Sequence, residues 1–134
     1  MPKEHINPSS LFPSLKYGFS QIVTSQGGRT VYLSGQTPLN AEEKVVGTSR
    51  REQMQQCLRN VQTALETVGG SLKDVVSLRL YMVNYNPDEE VDVIADGLKE
   101  FFPGDNPPAT TWIGISSLAV KDFLIEIEAI AVLE

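Results

Sequence analysis

Hydrophobic residues along this chain change their spacing from one stretch to the next, and the changes mark out the elements. Val76, Leu78, Leu80 and Met82 alternate with Ser77, Arg79, Tyr81 and Val83, the period-two pattern of a half-buried strand. Before them the spacing is helical. Met54, Leu58, Val61, Leu65 and Val68 fall at intervals of three and four, Ser49 and Glu52 read as a capping box, and Gly69-Gly70 supplies the stop. A second helix opens at Asn86-Pro87, an N-cap followed by proline at the first helical position, with acids in the first turn. Val91, Ile94, Ala95, Leu98 and Phe102 form its apolar stripe, and Pro103-Gly104 ends it. Phe19 to Ser25 and Thr30 to Ser34 are β-prone and flank Gly27-Gly28, which predicts an opening hairpin. Two apolar strands, one around Trp112 and one from Leu124 to Val132, finish the order β-β-α-β-α-β-β. Each helix has one stripe to bury, so the expected class is α+β, two helices on one face of a mixed sheet of about six strands.

The last strand carries the strongest departure from strand chemistry. Glu126 and Glu128 share one face while Ile125, Ile127, Ala129 and Ala131 share the other, because successive strand side chains alternate. Two readings follow from pattern alone: a solvated sheet face or subunit rim, or an acid placed to handle a water or a proton. The strands near Trp112 and Ile125 to Ile130 are apolar on both sides, so self-association is the expected cover for the face without helices.

Composition narrows the classes. At 134 residues, 41% hydrophobic and 21% charged, residues 1–134 suit a single domain, with 1–15 expected to be extended or mobile. No apolar run approaches a membrane span, and Met1 to His5 lacks a signal-peptide core, which points to the cytoplasm. Cys57 sits at helical spacing with Met54, Leu58, Val61 and Leu65 and reads as a core thiol. A net charge of −6 and a pI near 4.8 argue against specific nucleic-acid binding. His5 is the only histidine, and Glu126 with Glu128 is too small a donor set, so neither a metal nor another cofactor is expected.

Four motifs in order supply a resemblance. Ser34-Gly35-Gln36-Thr37-Pro38, the Leu65 to Val76 stretch, Pro108-Ala109-Thr110-Thr111-Trp112-Ile113-Gly114-Ile115 and Ile125-Glu126-Ile127-Glu128-Ala129-Ile130-Ala131 together resemble the RidA/YjgF family, once called L-PSP endoribonucleases. The similarity runs from about Phe19 onward. It implies a chorismate-mutase-like fold, a homotrimer with clefts between subunits, and hydrolytic deamination of a reactive imine or enamine metabolite with altered substrate specificity. A non-catalytic small-molecule-binding or regulatory trimer is the alternative, and the endoribonuclease activity of the older name ranks below both.

Residue by residue, the resemblance makes Glu126 the group that orients the attacking water and places Ser34 and Gly35 against the cleft. Phe19 stands where typical members have a tyrosine, with Tyr17 two positions away, and Thr110 stands where they have the arginine that holds a substrate carboxylate. Trp112 shares a face with Thr110 by period two and either narrows the cleft or sits in the core. A guanidinium binds a carboxylate through two parallel hydrogen bonds that threonine cannot reproduce. A carboxylate about 5 Å from an ionised Glu126 would meet repulsion of roughly 3 kcal/mol at an effective dielectric near 20. Three resolutions stay open: another cation such as Arg29, Arg79 or Lys121 reaches the cleft, Glu126 is protonated, or the ligand is neutral or cationic there.

Overall fold

The computed structural model describes residues 3–134. Its six strands are β1 (Glu4–Ile6), β2 (Ile22–Thr24), β3 (Arg29–Tyr32), β4 (Val75–Val83), β5 (Ala109–Ile115) and β6 (Ile125–Leu133), and its long helices are α1 (Arg50–Thr67) and α2 (Pro87–Phe101). The main sheet has the order β3-β6-β4-β5, and β1 pairs with β2 apart from it. Strands β4 and β5 are parallel and joined through α2, as a parallel connection requires, whereas β6 is antiparallel to both its neighbours. The α+β class with two helices over a mixed sheet therefore stands.

The expected opening hairpin does not form. Gly27 and Gly28 do turn the chain, at φ 72° and 78°, but they hand it from the β1–β2 pair to the edge of the main sheet, where Arg29 pairs with Leu133. The nine-residue β6 offers β3 a longer partner than the three-residue β2 does. Of residues 1–15, expected to be extended or mobile, 1 and 2 lie outside the described residues, and 3–15 contribute β1 and then enter a 3-10 segment, Ser14–Tyr17.

Both helices cover the same sheet face. Leu58, Val61 and Leu65 of α1 and Ile94 and Leu98 of α2 meet Leu78, Leu80, Ile125 and Ile127, all fully buried. Two expected inward positions are not inward. Val68 caps α1 and stays 37% exposed, and a bulge between Val75 and Ser77 turns Val75 inward instead of Val76. The capping box of Ser49 and Glu52 is in place, and Asn86 caps α2 with Pro87 behind it. No helix among the described residues is long and apolar enough to cross a membrane.

Two buried polar side chains of α1 fix the chain that leads into β6. Arg50, 6% exposed, donates to the carbonyls of Val83, Asn84 and Leu124 and pairs with both oxygens of Glu90 at 3.0 and 3.1 Å. Gln53 donates to the Asp122 carbonyl at 2.9 Å and accepts the Leu124 N–H at 2.7 Å. The carbonyls of Val83, Asn84, Asp122 and Leu124 thus each have a side-chain donor, and the approach to β6, hence to Glu126, is tied to the helix layer.

Candidate functional site

Register assigns each predicted site residue to a face. Tyr81 pairs with Glu126 and with Ile113, and Arg79 pairs with Glu128 and with Thr111, so Glu126 and Glu128 lie on the sheet face without helices. Thr110 and Trp112 pair with Leu78 and Leu80, whose side chains are in the core, so these two lie on the helix side. Glu126 and Thr110 therefore do not meet within one chain.

On the helix-free face a cleft of about 300 Å³ is lined by Gly35, Tyr81, Ile115, Leu118, Glu126 and Glu128. Its rim is shaped by a bulge. Leu33 N–H donates to Ala129 and Gln36 exchanges two bonds with Ile127, so Ser34 and Gly35 together oppose the single residue Glu128. Gly35 is pressed against Glu126: a Cβ there would lie 2.9 Å from the carboxyl carbon and nearer still to Oε2. Ser34 is exposed beside it.

The two carboxylates of this cleft differ. Glu128 accepts the Tyr81 hydroxyl at 2.8 Å and has Arg79 Nη1 at 3.8 Å, and its hydrogen bond to the phenol, followed by burial and by its charge, pushes the Tyr81 pKa up. Glu126 has no hydrogen-bond or ion-pair partner among the described residues. Cys57 donates its S–H to the Ile125 carbonyl at 3.6 Å on the other side of β6, and burial first, then the Glu126 charge, raises its pKa so that the thiol stays protonated.

On the helix side Phe12, Tyr17, Phe19, Val91, Thr110 and Trp112 line a second cavity of about 350 Å³, wide open to solvent in the single chain. Local structure explains how the N-terminal segment reaches it. Gly18, at φ 89°, lets the 3-10 turn press onto α2, since a Cβ would stand 2.9 Å from Leu98 Cβ. Ser20 then bridges to Ala109: its N–H donates to Pro108 and its hydroxyl to Pro107 at 2.6 Å, both buried. That anchor sets Phe19 edge-on to Trp112, with centroids 5.9 Å apart, while the Trp112 indole N–H donates to Thr110 Oγ1 at 3.0 Å.

Two of the three cations considered as substitutes for the arginine go elsewhere: Arg29 donates to the Val68 carbonyl, and Lys121 lies beside Asp122 near Val45 and Gly47. Arg79 stands across the sheet from Thr110, on the Glu126 face, 3.8 Å from Glu128. Among the described residues no group of three or more potential ligands is placed to hold a metal ion.

Comparison with known proteins gives this geometry its setting. A family model described as Endoribonuclease L-PSP matches residues 12–133. The chain belongs to the RidA/YjgF family. A 2-iminobutanoate/2-iminopropanoate deaminase from Dermatophagoides farinae is 36% identical over the whole of both chains. A 3-aminoacrylate deaminase, RutC, from Acinetobacter baylyi is 30% identical over 98% of each. Among solved structures, a Rid protein of unknown function from Yersinia pestis superposes with a TM-score of 0.94 at 39% identity, covering 99% of this chain and 100% of that one. A RidA/YjgF chain with phenylalanine at 19 and threonine at 110 thus keeps the family's fold while its helix-side cavity is apolar. Sequence reasoning missed Phe12, Tyr81, Val91, Ile115 and Leu118 as lining residues. The aromatic spacing of Phe12, Tyr17 and Phe19 was a usable signal for the first, and the Arg79–Tyr81 alternation facing Glu126 and Glu128 was one for the second.

Proposed function

We propose that the protein hydrolyses a reactive imine or enamine to a carbonyl compound and ammonia, in clefts where the Glu126 face of one copy meets the Thr110–Trp112 side of another. The observation that carries this reading is the contrast between the two carboxylates: Glu128 is engaged by Tyr81 and Arg79, while Glu126, two residues away, lies against Gly35 in the same cleft without a protein partner among the described residues. An acceptor left free in a walled cleft is suited to hold a water and take its proton. The relatives named as imine and aminoacrylate deaminases support the same chemistry.

The steps balance with Glu126 as the single proton carrier. Water adds to the imine carbon as its proton passes to the carboxylate, the C–O bond forms, and the π pair moves to nitrogen, which takes the proton back from Glu126. The carbinolamine then loses its hydroxyl proton to Glu126, the carbonyl forms, the C–N bond breaks, and nitrogen leaves as ammonia with that proton. An enamine joins this path once its β-carbon is protonated. Trimer formation fits the helix-free face, where Tyr32 is 76% exposed and Ile113, Ile130 and Val83 are only half-buried.

The test is ammonia release from enzymatically generated imines by wild type, Glu126→Gln and Glu128→Gln, with sedimentation equilibrium on each. Glu126→Gln is expected to lose roughly a hundredfold or more in turnover with the oligomer intact. Equal losses in both variants would make the carboxylates structural. The uncharged surroundings of Thr110 favour a second reading, a trimer that binds a metabolite without turning it over; saturable binding with no ammonia from any imine would establish it.

A further inference from the structure

We infer that the Thr110–Trp112 cavity accepts an uncharged, ring-sized apolar group of the ligand and does not serve a carboxylate; this rests on the reading of the inter-copy cleft given above. Its walls are Phe12, Tyr17, Phe19, Val91 and Trp112, with the Thr110 methyl and hydroxyl completing them, and no charged side chain lines it. The rings support one another edge to face, Phe12 with Phe19 at 6.1 Å and 70° and Phe19 with Trp112 at 5.9 Å and 64°, so the walls of this open groove brace each other. Its volume, about 350 Å³, lies at the small end of ligand cavities and suits a single ring with a short substituent.

Polar complementarity points the same way. Thr110 Oγ1 accepts the indole N–H at 3.0 Å, which satisfies Trp112 and leaves the hydroxyl hydrogen as the one neutral donor offered by this pair. A carboxylate seeks two charge-assisted bonds and would lose its water against apolar walls without replacement. A cation fares no better. Lys16, exposed, holds its ammonium 5.1 Å from the Tyr17 ring centroid, already using that ring and repelling a second positive charge, while solvent and salt screen the pull it exerts on an anion.

Trp112 is the only tryptophan in the chain, so its fluorescence reports occupancy directly. The experiment titrates the full-length protein with phenylacetamide and phenylacetate, which share a ring and differ in head-group charge, and with pyruvate. Phenylacetamide is expected to give a saturable change with a Kd at least tenfold below that of phenylacetate, with no response to pyruvate. Phe12→Ala, at a side chain already 55% exposed, is expected to weaken phenylacetamide severalfold with the fold retained. Phenylacetate binding as tightly as the amide, or no saturable response to the amide, would overturn the inference. Ammonia release from the imines of phenethylamine and of alanine, made in situ by an amine oxidase and an amino-acid oxidase, separates the two levels. Amide binding without hydrolysis of either imine would sink the hydrolase reading and leave the ligand class standing. Faster hydrolysis of the alanine-derived imine would do the reverse.

Discussion

Replacing Gly35 with alanine adds one methyl group in the place where it should matter for chemistry and not for folding. A Cβ at residue 35 would lie 2.9 Å from Glu126 Cδ and 3.1 Å from Cγ, with Oε2 nearer still, whereas ordinary contacts begin at 3.4 Å. The carboxyl carbon must retreat by about half an ångström and the oxygen further, which is accessible because the obstacle is the far end of a flexible side chain. Gly35 does not occupy the positive-φ region, so alanine brings no backbone strain. A catalytic group displaced by about 1 Å costs on the order of a hundredfold in rate. Gly35→Ala is therefore expected to lose about two decades in kcat/KM for imine hydrolysis while its unfolding free energy, from urea denaturation, changes by less than about 1 kcal/mol. Both are read on one preparation, by continuous ammonia detection and by denaturation followed through Trp112. Wild-type turnover in this variant would show that the position of Glu126 does not govern the reaction. A loss of several kcal/mol would show that Gly35 is held for packing and that its nearness to the carboxylate is incidental.

Ser20→Ala removes the buried donor to the Pro107 carbonyl and is expected to cost about 1–3 kcal/mol in urea denaturation, with a shift in Trp112 emission as Phe19 loosens; a neutral result would detach the N-terminal segment from the cavity wall. Glu90, held below its usual 4.5 first by the Arg50 hydrogen bonds, contributes stability that is fully present above that pH and is lost as pH falls through its lowered folded value. Glu90→Gln should accordingly be less stable at neutral pH and lose less stability than wild type between about pH 5 and pH 3, by thermal melts across that range. Thr110→Arg, alone and with Trp112→Thr to make room, should raise hydrolysis of the alanine-derived imine at matched protein concentration, because a guanidinium supplies the bidentate partner now missing. Robust wild-type activity on that imine would mean another cation already fills the role.

The helices and long strands were legible because their signals are local. Ser49 with Glu52, Asn86 with Pro87, and the alternation from Leu78 to Met82 each encode their element within one turn or one pleat. The hairpin misled because a Gly-Gly turn specifies a change of direction and not a partner; that β3 joins β6 depends on residues a hundred positions away. The single-place shift at Val75 is a bulge, which inserts a residue without changing composition. For the site, period two placed Glu126 with Glu128 and Thr110 with Trp112 correctly, but the sense of each face relative to the helices comes from the parallel register of β4 and β5, and no local pattern carries it. The aromatic spacing of Phe12, Tyr17 and Phe19 hinted at a shared wall, but where that wall stands depends on Ser20 docking at Pro107 and Pro108, which no local pattern carries.

The split of the predicted residues between two faces changes how the missing arginine should be understood. In one chain Glu126 and Thr110 are separated by the sheet itself, so the repulsion of about 3 kcal/mol for a carboxylate near Glu126 applies only where two copies bring the faces together. Arg79 lies on the Glu126 face, but it already stands 3.8 Å from Glu128, so recruiting it for a substrate would loosen the carboxylate that Tyr81 also holds. A neutral ligand removes the repulsion at its source and requires no such rearrangement. It also lets the Thr110–Trp112 hydrogen bond and the ring contacts remain as they are, which an arginine or an anion would have to disturb. On the proposed reading, the apolar cavity and Glu126, which has no partner among the described residues, are two parts of one specificity: uncharged walls would exclude anions from the binding end, and the carboxylate at the other end would work on a centre that brings no negative charge of its own.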